Sequence, residues 1–159
     1  MIFNTVRNAA ATLVLLLICI SAVWSQDTFE IPVRIVFYNV ENLFDIYNDT
    51  AKNDEEFLPT GIRRWNWARY NRKINSLYKT IIATGNWSPP SIVGLCEIEN
   101  RKVLEDLAFG TYLSKYNYSI VHEDSPDERG IDVCLIYRKD CVSVLEYKYF
   151  MPSSFTGGE

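Results

Sequence analysis

Histidine is almost missing from this chain: its 159 residues contain one, His122. A single histidine beside a strand end is more often a satisfied structural residue than a proton carrier. A surplus of positive charge is missing too. The 16 lysines and arginines face 20 aspartates and glutamates, for a net charge of -4. That gives no hint of a basic stripe and weighs against holding a polyanion by a bulk field, while leaving open a grip on one phosphate through a metal ion. Nowhere does an apolar run approach the roughly 20 residues of a membrane span. No pair among Cys19, Cys96, Cys134 and Cys141 has metal-ligand spacing. The last three lie in or beside apolar strand-like runs, so packing is expected of them rather than a disulfide framework.

The run from Ala9 to Ile20 follows one basic residue, Arg7, and precedes Ser25, with Val23 two positions earlier. This is the pattern of a secretory signal over residues 1–25, with the domain itself at 26–159. An uncleaved anchor is the alternative. A lipoprotein is disfavoured, because Ile18 before Cys19 is too large for the small residue that cleavage requires. Export would place the protein in a periplasm or outside the cell, with no stable membrane span after cleavage. Loss of Arg7 makes the mature charge 15 minus 20, or -5. A hydrophobic share of 48% and a charged share of 23% then suit one globular domain with a real core.

Along that domain the hydrophobic period alternates. "VRIVFYNV" reads as a buried strand and "YNDTAKNDEEFLPTG" as a polar loop. The clearest helix opens on Asn66 and closes at Gly85. Trp67, Tyr70, Ile74, Leu77, Tyr78, Ile81 and Ile82 share one of its faces at three-four spacing. "SIVGLCEI" is a second strand, and "NRKVLEDLAFG" a short helix capped by Asn100. "YSIVHED", "GIDVCLIYR" and "VSVLEYKYF" then read as β. No repeat or linker interrupts the order. It implies a layered α/β (α+β) domain with helices covering a sheet.

Polar residues end the apolar strands. Asn39 and Glu41 stand two apart on an extended segment, which would send both side chains to one face. Glu97 closes the second strand in the same way. If the two strands are parallel neighbours, these ends emerge together at the usual edge for α/β sites. Carboxylates there suit a hard cation such as Mg²⁺, and Asn39 adds an orienting amide without charge. The plainer reading is that any strand leaves the core on polar residues. Arg129, before Gly130, is placed to take a phosphate in bidentate fashion. Asp124, Asp127 and Arg129 read equally as a solvated loop with local ion pairs. Asp132, inside a strand pattern, should face the site or pair with a cation. Trp65 and Trp67 beside Arg63 and Arg64 suggest either base stacking with a phosphate grip or packing at a helix start, and packing is preferred for Trp67.

Four stretches in order, "FYNVENLFD", "EFLPTGIRRWNWARYNRKI", "IVGLCEIENRKVLEDL" and "SPDERGIDVCLIYRKD", resemble the endonuclease/exonuclease/phosphatase superfamily, which includes deoxyribonuclease I. More narrowly they are similar to its secreted bacterial members, of the kind common in Bacteroidetes. The resemblance implies a four-layer α/β/β/α sandwich and hydrolysis of a phosphoester, a nucleic acid or a small phosphodiester, with Mg²⁺ or Mn²⁺. It implies catalytic roles for Asn39 and Glu97, metal binding by Glu97, Asn39 and Glu41, and a phosphate contact from Arg129. Asp132 falls in the family's "RGIDV" segment without an assignable step. Glu99 and His122 match no catalytic position.

The resemblance covers only a first half. The family's later polar motifs, a histidine near a strand end, a "GDFN"-like stretch and a terminal aspartate–histidine pair, have no counterpart before Glu159. The expectation is an N-terminal half of the sandwich, a truncated and inactive fragment whose uncovered apolar sheet face favours aggregation. A complete protein of this kind is expected to be a monomer. The alternative is a secreted, non-catalytic module that binds phosphate or metal.

Overall fold

In a computed structural model, which describes residues 32–150, four strands form one mixed sheet. They are β1 (Ile35–Leu43), β2 (Ile92–Ile98), β3 (Tyr118–His122) and β4 (Asp132–Arg138), in the spatial order β1-β2-β4-β3. β1 and β2 are parallel, in the register Ile35↔Ile92 to Asn39↔Cys96, while β4 runs antiparallel to both β2 and β3. A parallel pair needs a long crossover. Here it contains α1 (Trp67–Thr84), and α2 (Arg101–Phe109) follows β2. "VSVLEYKYF" forms no strand within the described residues. It finds no ladder partner, Leu145 is almost fully exposed, and the Tyr147 hydroxyl ties it instead to Glu123.

Both helices begin on an asparagine whose side chain accepts an orphan main-chain N–H: Asn66 from Arg69, and Asn100 from Val103. Gly85 ends α1 for want of space rather than for backbone freedom. Its φ is -83°, and a Cβ there would stand 1.9 Å from the Ser88 carbonyl oxygen. The left-handed turn falls on Asn86 and Trp87 instead. Tyr70, Ile74, Leu77 and Ile81 of α1 enter the core, as the spacing requires; Tyr78 and Ile82 pack at its margin. Trp67 packs at the helix start by stacking on Tyr70, but at 52% exposure it stays outside the core that its helix face was expected to enter; Trp65 is the buried indole, donating its N–H to the Phe44 carbonyl at 2.8 Å.

Helices and sheet share a core made from one sheet face: Val93 and Leu95 of β2, Ile136 of β4, and Val103, Leu104 and Leu107 of α2, all without exposed surface. The other face carries Ile35, Phe37 and Val133, at 70, 73 and 56% exposure. Cys96, Cys134 and Cys141 are free thiols, as packing residues should be. Burial pushes the Cys134 thiol up to about 12. The proposed signal segment and Cys19 lie outside the described residues. Among the described residues no helix is long and apolar enough to cross a membrane.

Candidate functional site

The carboxyl ends of β1 and β2 are where the sheet stops being regular. Between the Asn39↔Cys96 and Leu43↔Ile98 pairs, β1 uses two more residues than β2. Against β4, β2 in turn carries one extra residue, Glu97. The surplus residues take left-handed backbone: Glu41 at φ 55°, Asn42 at 63° and Glu97 at 64°. Each such non-glycine conformation costs roughly 1–3 kcal/mol. Bulges of this kind bend a strand and re-aim its side chains. The simple alternation invoked for Asn39 and Glu41 therefore ends at Val40, and a bulge rather than a pleat positions Glu41.

The result is a contact between residues 58 apart in sequence. The Asn39 amide nitrogen donates to Glu97 Oε1 at 2.8 Å, and its Oδ1 accepts the Glu41 main-chain N–H at 2.7 Å. Asn39 is thus a strut between the two strand ends. The second oxygen of Glu97 takes no hydrogen bond among the described residues. Lys73 of α1 donates to the Glu41 carbonyl at 2.7 Å. Burial lowers its ammonium below the ordinary value, against the pull of Glu41 and Glu97 and with the push of Arg63. Glu99, two residues beyond Glu97, is a different kind of carboxyl. It is nearly buried, accepts the Asp45 N–H, and burial pushes it up to about 8, helped by the charges of Asp45, Asp54 and Asp49.

Arg129 lies within electrostatic reach of Glu97. Its Nε and Nη2 are already held by Asp127, at 3.2 and 3.0 Å, which leaves Nη1 unengaged among the described residues. The local ion pair and the phosphate contact are therefore compatible. The loop carrying it is latched to the loop after β1: the Lys52 ammonium donates to the Ser125 and Asp127 carbonyls, and Gly130, at φ 71°, lies against the Lys52 stem.

Asp132 faces the interior. It is 4% exposed, and its two oxygens are taken by His122 Nε2 at 2.9 Å and the Ser125 N–H at 2.7 Å. His122, Asp124 and Asp132 each offer a ligand atom within 4.8 Å of the others, a grouping that can hold a metal. Yet the hydrogen bonds already made by His122 and Asp132 describe a strut that shapes the hairpin. The sequence reading missed Arg69 and Lys73. The signal was available: four residues apart on α1, they share a face.

A helix-backed sheet whose parallel strands end on a paired carboxamide and carboxylate is the arrangement of α/β domains that bind ligands at strand ends. The chain belongs to the endonuclease/exonuclease/phosphatase family, whose model matches residues 34–154. Membership assigns the general chemistry of phosphoester hydrolysis, in a family that generally uses divalent metals. No curated protein and no solved structure matches the chain.

Proposed function

We propose that the bulged ends of β1 and β2 form the metal- and phosphate-holding half of a Mg²⁺- or Mn²⁺-dependent phosphoester hydrolase exported by segment 1–25. The observation that carries this reading is the 2.8 Å contact between Asn39 and Glu97 on strained backbone. The donor set suits a hard cation: the open Glu97 oxygen, the Glu41 carboxylate and the remaining lone pair of Asn39 Oδ1 are all oxygens. Glu97 and Glu41 would hold the ion, with Asn39 fixing the Glu97 carboxylate and contributing its own oxygen. A divalent cation there supplies Lewis-acid stabilisation of charge on the phosphoryl oxygens. Arg129, braced by Asp127, would meet a phosphate oxygen through Nη1.

The reading assigns no general base: among the described residues the only histidine is committed to Asp132. By itself this polypeptide is therefore expected to hold metal and phosphate without turnover, the behaviour of a non-catalytic binding module as well as of half an enzyme. The test is calorimetric titration of the full chain with Mn²⁺, beside an assay on bis-p-nitrophenyl phosphate and DNA. Glu97→Gln should weaken Mn²⁺ binding about tenfold or more. Unchanged affinity would sink the metal assignment, and hydrolysis by the chain alone would place the base within it.

A further inference from the structure

Beside Glu41 the surface opens into a recess of about 460 Å³. Its wall carries three cations, Arg63, Arg69 and Lys73, over Phe57 and Trp65. Only Arg63 has a carboxylate partner among the described residues, Glu56 at 2.9 Å, and both side chains of that pair are about half exposed. Arg69 donates to the Arg63 carbonyl, and Lys73 to the Glu41 carbonyl. A carbonyl satisfies a donor without cancelling the cation's charge, so three cations against one acidic lining residue, Glu41, leave positive charge in excess here in a chain that is acidic overall. Aromatic faces hold the guanidiniums: Arg63 lies 4.7 Å from the Phe57 ring centre and Arg69 5.8 Å from that of Trp65. Stacking of this kind holds a guanidinium by its face and leaves its N–H edges available for the oxygens of an anion.

We propose that this recess binds a second, non-scissile phosphate, so that the substrate carries at least two phosphate groups. The inference rests on the reading of Asn39 and Glu97 as the scissile-phosphate site, and Glu41 joins the two. Glu41 lines the recess, and its main-chain N–H is bound to Asn39. The volume falls in the range of small-molecule pockets, leaving room for the group to which the phosphate is esterified. A neighbouring phosphate of a polynucleotide and one of a small bisphosphate share this chemistry.

The experiment begins with inorganic phosphate titrated into the full chain without divalent metal, followed by calorimetry. Arg69→Gln and Lys73→Gln should each weaken binding about tenfold or more, while Glu97→Gln binds phosphate at least as tightly as wild type. Should Arg69→Gln fail to fold, Arg63→Gln, on a half-exposed side chain, carries the test. Phosphate affinity indifferent to all three cations overturns the inference and leaves the Mn²⁺ result at Glu97 standing. With Mg²⁺ added, a 5′-phosphorylated dinucleotide or a sugar bisphosphate should bind more tightly than inorganic phosphate, and the larger gain identifies the source. No gain from either overturns the claim of a second phosphate.

Discussion

The two faces of the sheet differ more than any other regions of the molecule. Toward the helices, Val93, Leu95 and Ile136 have no exposed surface. Away from them, Ile35, Phe37 and Val133 keep more than half of theirs, although they belong to the same sheet. Both sides carry large apolar side chains, and only one side buries them. Strand composition alone reports that two faces are apolar; it does not report what covers each. An uncovered apolar face of this kind is where self-association is expected.

Substitutions sharpen that contrast. Leu95→Ala should cost the most, about 2–5 kcal/mol in denaturant unfolding, because it opens a cavity in a packed core. A cost near zero would mean that the covered face is not packed. Next is Asp132→Asn, expected to cost about 1–3 kcal/mol at neutral pH. Burial alone would raise the Asp132 carboxyl, but hydrogen bonds from His122 and Ser125 more than reverse this and hold it below its ordinary 3.8. Its contribution is therefore complete above that value and is lost as acid titrates through the lowered one. The difference between wild type and Asp132→Asn should fade in unfolding curves taken below pH 3.8. A constant difference would deny the ionised carboxylate its part. Smallest is Phe37→Thr, expected within about 0.5 kcal/mol of wild type. Light scattering should nonetheless show less self-association, and an equal tendency to aggregate would clear the open face of that role.

Much of this was legible in residues. Asn66 and Asn100 announced both helices, and the apolar runs ending on Asn39 and Glu97 announced neighbouring strand ends. The bulges were not legible, because no glycine marks them. Glu41, Asn42 and Glu97 take left-handed backbone that their side-chain types do not advertise. Asp132 was expected to face the site or pair with a cation, and sequence could not say that His122, ten positions earlier, is its partner. The burial of Trp65 was hidden for a similar reason. Only the fold brings the Phe44 carbonyl to the Trp65 indole. The recess escaped because only the fold brings Arg63, Arg69 and Lys73 up to Glu41 of β1, through the Lys73 bond to its carbonyl.

The latch through Lys52 has a consequence for how the molecule forms. It joins residues 75 apart, and Asn39 meets Glu97 across 58. Contacts of such long range come with high loop-closure entropy and slow folding. During synthesis Asn39 emerges well before its partner exists, so nothing at this end of the sheet is present in a nascent helix or hairpin. Metal affinity should therefore arrive with the last step of folding, and an early collapsed species would be blind to the metal.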